Sequence, residues 1–93
     1  MSQSDTPSGI NPELWEFPCQ IAFKTMAVNR IDIDIEVLSV VQNVVPGDYA
    51  PQLTPSTKGN YVSITIHLTL HSSDQVEQLY REVRAIPDVK MCL

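Results

Sequence analysis

Hydrophobic and polar positions alternate most regularly along Tyr61–Leu70. Val62, Ile64, Ile66, Leu68 and Leu70 fall on one side, and Tyr61, Ser63, Thr65, His67 and Thr69 on the other. A period of two with β-branched residues on one face predicts a half-buried strand. A second alternating stretch, from about Phe17 to Met26, sets Phe17, Cys19, Ile21 and Phe23 against Gln20, Ala22 and Lys24. It predicts an earlier strand, preceded by Trp15.

Arg30–Val45 carries two periods. Ile31 to Val37 alternates as a strand would, whereas Val37, Leu38, Val41, Val44 and Val45 have helical spacing. A helix places Asp32, Glu36, Ser39 and Asn43 on one narrow polar stripe, which a strand does not. Asn29 can cap the first turn with Asp32 in the capping-box slot, and Pro46-Gly47 supplies a stop. The segment therefore reads as a helix with an apolar arc about 220° wide, more than the ~100° a surface helix needs. Ile31, Ile35 and Val45 lie at its margins, where a subunit or partner contact would use them.

Ser72 or Ser73 caps a second helix, whose stripe is Val76, Leu79, Tyr80, Val83 and Ile86, with a Glu77–Arg81 pair outside and Pro87 as its end. Val89, Met91 and Leu93 alternate with Lys90 and Cys92 in a last strand. Between the first helix and Tyr61, prolines limit Gln52–Thr57 to an edge strand, and Lys58-Gly59-Asn60 is a hairpin turn.

The order strand, helix, strand, strand, helix, strand is that of the α+β ferredoxin-like βαββαβ sandwich. It predicts a four-stranded antiparallel sheet, order 4-1-3-2, with both helices on one face. The expected core face is Phe17, Ile21, Phe23, Val62, Ile64, Ile66, Leu68, Val89, Met91 and Leu93. The expected open face carries Gln20, Ala22, Lys24, Ser63, Thr65, His67, Thr69, Lys90 and Cys92. The chain of 93 residues divides into a Ser/Thr/Pro/Gly-rich tail over 1–12 and one domain over 13–93.

Composition narrows the chemistry. A net charge of −5 argues against a grip on nucleic acid or anionic lipid. No apolar run exceeds three residues, so no membrane span is expected. The chain start lacks a secretory signal pattern, which makes the cytoplasm the expected location. A nucleic-acid-binding sheet would present adjacent aromatic residues, but strand Tyr61–Leu70 has one Tyr followed by Ser, Thr, His and Thr on its open side.

No catalytic constellation is expected. His67 and His71 lie four strand positions apart, about 13 Å, too far to share a metal. Asp32, Asp34 and Glu36 read as a helix start held by its dipole. Ser56, Thr57, Ser72 and Ser73 occur in no nucleophile elbow, and three glycines form no phosphate-cradling loop. No cofactor is implied. Cys19 and Cys92 are 73 positions apart in a pattern matching no zinc motif. Their parity puts Cys19 on the core side and Cys92 on the open side, which predicts free thiols; a bulge in either strand would reverse that parity.

Several strings taken together resemble the YbeD-like family of small bacterial proteins of unassigned function. They are Leu14-Trp15-Glu16-Phe17-Pro18, Lys24-x-Met26, Val40-Val41-Gln42, Pro46-Gly47-Asp48-Tyr49, Pro55 through Tyr61, Gln75-Val76-Glu77-x-Leu79-Tyr80 and Val89-Lys90-Met91-x-Leu93. The resemblance spans Leu14 to Leu93. It implies a fold similar to ACT regulatory domains, which bind small molecules near the turn between the first strand and first helix. It also implies an association with lipoate-attachment genes. Relatives often carry Gly in that turn where this chain has Ala27.

These readings converge on a non-enzymatic regulatory or adaptor module acting through a protein partner, self-association as a homodimer, or a small ligand. The candidate contact residues are Lys58, Gly59, Asn60 and Tyr61 in the hairpin, with Lys24 and His67 on the open face. The rival readings are a thiol-dependent auxiliary enzyme of lipoyl transfer and a nucleic-acid-binding module. The first needs Cys92 or Cys19 exposed and activated beside a cation such as Lys90.

Overall fold

The computed structural model describes residues 15–92. The tail expected over 1–12, and the core position expected for Leu93, lie outside the described residues. The elements are β1 (Cys19–Val28), α1 (Ile33–Val44), β2 (Gln52–Pro55), β3 (Tyr61–Leu70), α2 (Ser73–Arg84) and β4 (Val89–Cys92). The strands form one antiparallel sheet in the order β2-β3-β1-β4, the expected 4-1-3-2 read from the other edge.

Register explains which face is covered. Phe23 pairs with Ile66, Thr25 with Ile64 and Ala27 with Val62, and all six side chains are buried. α1 adds Ile33, Val37, Val41 and Val44 to this layer, and α2 adds Val76, Leu79, Tyr80 and Val83. Phe23 meets Tyr80 edge-on, with ring centroids 5.0 Å apart, an arrangement the aromatic quadrupoles favour. Trp15, Phe17 and Ile21 pack partly buried against this core.

The sheet is uneven in width. β1 and β3 pair along ten positions, but β2 meets β3 only at Val62–Thr65, and β4 meets β1 only at Thr25–Ala27. One end is thus four strands wide and the other a two-stranded ribbon.

Four expectations need correction. First, α1 starts at Ile33 rather than near Arg30, and Asn29 does not cap it. Asp32 occupies the N-cap position in left-handed backbone (φ 64°) with no side-chain cap bond, a conformation Asp tolerates better than most residues. Second, Val89 packs against the core as expected, but the faces expected for Met91 and Cys92 are reversed. The register shifts at Met26/Ala27, so that Met26 opposes Met91 and Ala27 opposes Val89. This leaves Lys90 as the extra residue of a bulge and swaps the faces beyond it. Met91 is 49% exposed, and Cys92, expected on the open face, is 4% exposed. Third, β2 ends at Pro55, because the Ser56 carbonyl is taken into the turn, where it accepts from Gly59 N–H (2.9 Å), and the Ser56 hydroxyl rather than its carbonyl accepts from Tyr61 N–H (3.2 Å). Fourth, Ala27 sits inside β1 with its side chain buried, not in the turn that follows.

The second helix forms as its sequence dictates. The Ser72 hydroxyl accepts from Gln75 N–H (3.2 Å), and the Gln75 side-chain oxygen accepts from His71 N–H (2.7 Å). The same Gln75 amide donates to the Val44 carbonyl (3.2 Å), joining the start of α2 to the end of α1.

Candidate functional site

The six candidate residues occupy two separate places. Lys58, Gly59 and Asn60 lie in the β2–β3 turn at the wide end of the sheet, and Tyr61 opens β3 beside them. Gly59 takes left-handed backbone (φ 77°), and its N–H donates to the Ser56 carbonyl (2.9 Å). The turn is held by Asn29 at the end of β1. Asn29 Nδ2 donates to the Gly59 carbonyl (3.0 Å), and its backbone N–H donates to the Asn60 carbonyl (2.9 Å). That double attachment is why Asn29 does not cap α1.

Beside Asn29, Arg30 holds three elements together. Its guanidinium donates to Glu36 of α1 and to Asp88 in the α2–β4 turn, and Val28 N–H donates to the Asp88 carbonyl (2.9 Å). The bonds to Glu36 first, and to Asp88 second, raise the guanidinium pKa further above its ordinary value. Sequence reasoning missed this hub. The available signal was that Arg30 is the one cation between Lys24 and Lys58, beside a run of acids.

Lys24 and His67 lie on the open face. Lys24 opposes Thr65, and His67 opposes Ala22, so the two are diagonal neighbours, about 7 Å apart between Cβ atoms. Tyr61 opposes Val28, four strand positions from Lys24, or about 13 Å. The hairpin and the Lys24–His67 pair therefore do not form one site. His67 borders a shallow groove of about 430 Å³ on the ribbon end, lined also by Gln20, Ala22 and Thr69.

A feature missed in the sequence lies nearer the hairpin on the open face. Met26 (39% exposed), Met91 (49%) and Tyr61 (42%) form an apolar group. Met26 and Tyr61 line a depression of about 140 Å³ with Thr54, Pro55, Ser56 and Ser63. Met91 enters this group only because of the β4 bulge, which strand alternation alone does not reveal.

Both cysteines are free. The opposite-face argument does not hold, since Cys19 and Cys92 share the core parity. Cys92 opposes Thr25, six residues along β1 from Cys19, so about 20 Å of strand separates them. A disulfide needs Cα atoms about 5.5–6 Å apart. Burial pushes the Cys92 thiol pKa up, the reverse of activation. Among the described residues, no group of three or more His, Cys, Asp or Glu is placed to hold a metal. No helix among them is long and apolar enough to cross a membrane.

Residues 12–93 match a protein family of unknown function, DUF493. A UPF0250 protein of Vibrio vulnificus is 44% identical over 81 residues, covering 87% of this chain and 88% of its own length. UPF0250 proteins of Sodalis glossinidius and Serratia proteamaculans are 46% and 47% identical, each alignment covering 87% of this chain and 93% of the relative. The solution structure of protein HP0495 from Helicobacter pylori superposes with a TM-score of 0.71 at 11% identity, over 98% of both chains. At that identity the likeness concerns the fold alone. The chain thus belongs to the DUF493 family of proteins of unknown function and is a homologue of the bacterial UPF0250 proteins, in keeping with its YbeD-like motifs.

Proposed function

We propose that the chain is a regulatory or adaptor module that works by contact, docking a protein partner or a small ligand on the uncovered face of its sheet. The observation that carries this reading is the exposed Met26–Met91–Tyr61 group on a face where every strand position could have been polar. Exposed apolar groups rimmed by polar residues mark interaction surfaces. Methionine also adapts its shape to a partner at little cost. Tyr61 lines the depression and continues into the hairpin, which puts Lys58 and Asn60 beside the contact. Gly59 serves the turn that presents them. Lys24 and His67 extend the surface toward the ribbon end, where the groove could seat a small polar ligand.

The family resemblance supplies a partner class, the lipoate-attachment apparatus, as the first to try. An isotope-labelled chain titrated with lipoamide, and separately with a lipoyl carrier domain, is expected to shift the amides of Met26, Tyr61 and Met91. Met26→Ser with Met91→Ser is expected to abolish the shifts. Binding that leaves the open face unperturbed overturns the reading. If Met26→Ser instead dissociates a dimer in sedimentation, the face serves self-association. The thiol-dependent rival draws no support from Cys92, which is buried with its pKa raised.

A further inference from the structure

We infer that the start of α1, on the other side of the molecule from the open sheet face, is a docking surface for a cationic amphipathic protein segment. Ile31 is 85% exposed and Ile35 is 60% exposed. A single exposed apolar residue is ordinary. Ile31, just before the N-cap, and Ile35, in the first turn of α1, are both more than half exposed within five residues of chain, where one docked segment can cover both.

Local structure explains why the fold leaves them uncovered. Ile31 precedes the N-cap Asp32, the position from which an apolar residue normally staples onto the fourth helical residue. That fourth residue is Glu36, whose carboxylate is engaged by Arg30, so the staple has no apolar partner. Asp32 takes left-handed backbone between the exposed Ile31 and the buried Ile33, so the inward-facing stripe of α1 begins only at Ile33. Ile35 lies off the buried stripe of Ile33, Val37, Val41 and Val44.

Charge selects the occupant. The segment and its ion pairs hold Arg30, Asp32, Asp34, Glu36 and Asp88, one positive and four negative groups, for a local sum of −3. Arg30 is already bonded to Glu36 and Asp88, leaving Asp32 and Asp34 outside any ion pair among the described residues. The helix dipole offers about +0.5 charge at this end, and Lys58 in the neighbouring hairpin adds one, so the balance stays negative. A second copy docked face to face would set the same carboxylates against each other, which like-charge juxtaposition penalises. Nucleic acid and anionic lipid are repelled by the same field. A segment with lysines or arginines around an apolar anchor satisfies both the isoleucines and the carboxylates. This inference does not rest on the open-face reading, and the two use different residues.

The test titrates the isotope-labelled chain with a short leucine–lysine amphipathic peptide, and with versions in which every lysine is glutamine or glutamate. The lysine peptide is expected to shift amides between Arg30 and Val37 and to bind more weakly as salt rises. The other two should bind at least about tenfold more weakly. Ile31→Ser with Ile35→Ser should cost roughly tenfold or more in affinity, and Asp32→Asn with Asp34→Asn should remove most of the salt dependence. Asn tolerates the left-handed backbone at position 32, and the isoleucines are exposed, so circular dichroism should show all variants folded. Equal binding of the glutamine peptide, unchanged affinity of the isoleucine variant, or shifts centred on Met26 and Met91 would each overturn the inference. So would a dimer that the isoleucine variant dissociates.

Discussion

Thr25 and Cys92 face each other across the β1–β4 ladder, and both are buried, at 1% and 4% exposure. The Thr25 hydroxyl has no oxygen or nitrogen partner among the described residues, and the Cys92 thiol is the one polar group it approaches. The thiol opposite is only a weak donor and acceptor. A buried hydroxyl left unpaired costs about 1–3 kcal/mol. Thr25→Val keeps the shape and β-branching while removing that polar group. It is expected to raise stability by about 1 kcal/mol, or roughly 4–8 °C in Tm for a domain of this size. A fall in denaturant midpoint would instead mean that the hydroxyl is engaged with the sulfur.

The two thiols should respond differently to modification. Cys19 is half-buried at the ribbon end, whereas Cys92 is enclosed and its ionisation is opposed by burial. A disulfide reagent added to the native chain is expected to modify Cys19 first. Cys92 should react only as fast as β4 opens, and fully in denaturant. Peptide mass mapping at early times distinguishes the sites. Early labelling of Cys92 would show that β4, held to β1 at Thr25–Ala27, detaches readily.

The residues that were legible in advance are those whose surroundings are set by local pattern. Tyr61–Leu70 is a strand with the expected faces because alternation is unbroken and both its neighbours are antiparallel. Ser72 caps α2 because the hydroxyl and Gln75 meet within one turn. The errors arise where a distant segment competes for the same group. Asn29 has the chemistry of a cap, but the β2–β3 turn takes its amide, and nothing near Asn29 in sequence signals that. Lys90-Met91-Cys92 alternates equally well in either parity, so only the pairing with β1 decides which side is buried. Of the candidate site, Tyr61 was readable as an exposed aromatic beside a turn. Met26 and Met91 were not, because their proximity depends on the bulge.

Gly59 is the turn residue whose replacement should be most informative. Its φ of 77° lies in the region that L side chains avoid, while a Cβ added there would meet nothing within 4 Å. The penalty is therefore conformational rather than steric. Gly59→Ala should cost about 1–2 kcal/mol, and Gly59→Asn clearly less, since Asn visits this region more easily. Thermal melts of the two variants check the ranking. Equal stability of Gly59→Ala and the native chain would show that the turn can exchange for another type without losing the Asn29 bonds.

Rising pH should lower the stability of the chain in two separable stages. Burial raises the pKa of Cys92, and burial followed by the Cys92 charge raises that of Tyr80. In each case folding favours the protonated form. The stability this contributes is intact below the unfolded-state value and is lost as pH climbs through the raised folded value. Loss should begin near the ordinary thiol range, about pH 8.5, and steepen from the ordinary phenol range, about pH 10. Cys92→Ala lowers stability at neutral pH by opening a small cavity, but should flatten the first decline. Tyr80→Phe should flatten part of the second, to which the Tyr49 phenol, also raised by burial, contributes the rest. The slope of stability against pH, measured by denaturant titration across this window, is the deciding quantity. A Cys92→Ala profile running parallel to the native one would mean that the thiol ionises as freely in the folded chain as in the unfolded one.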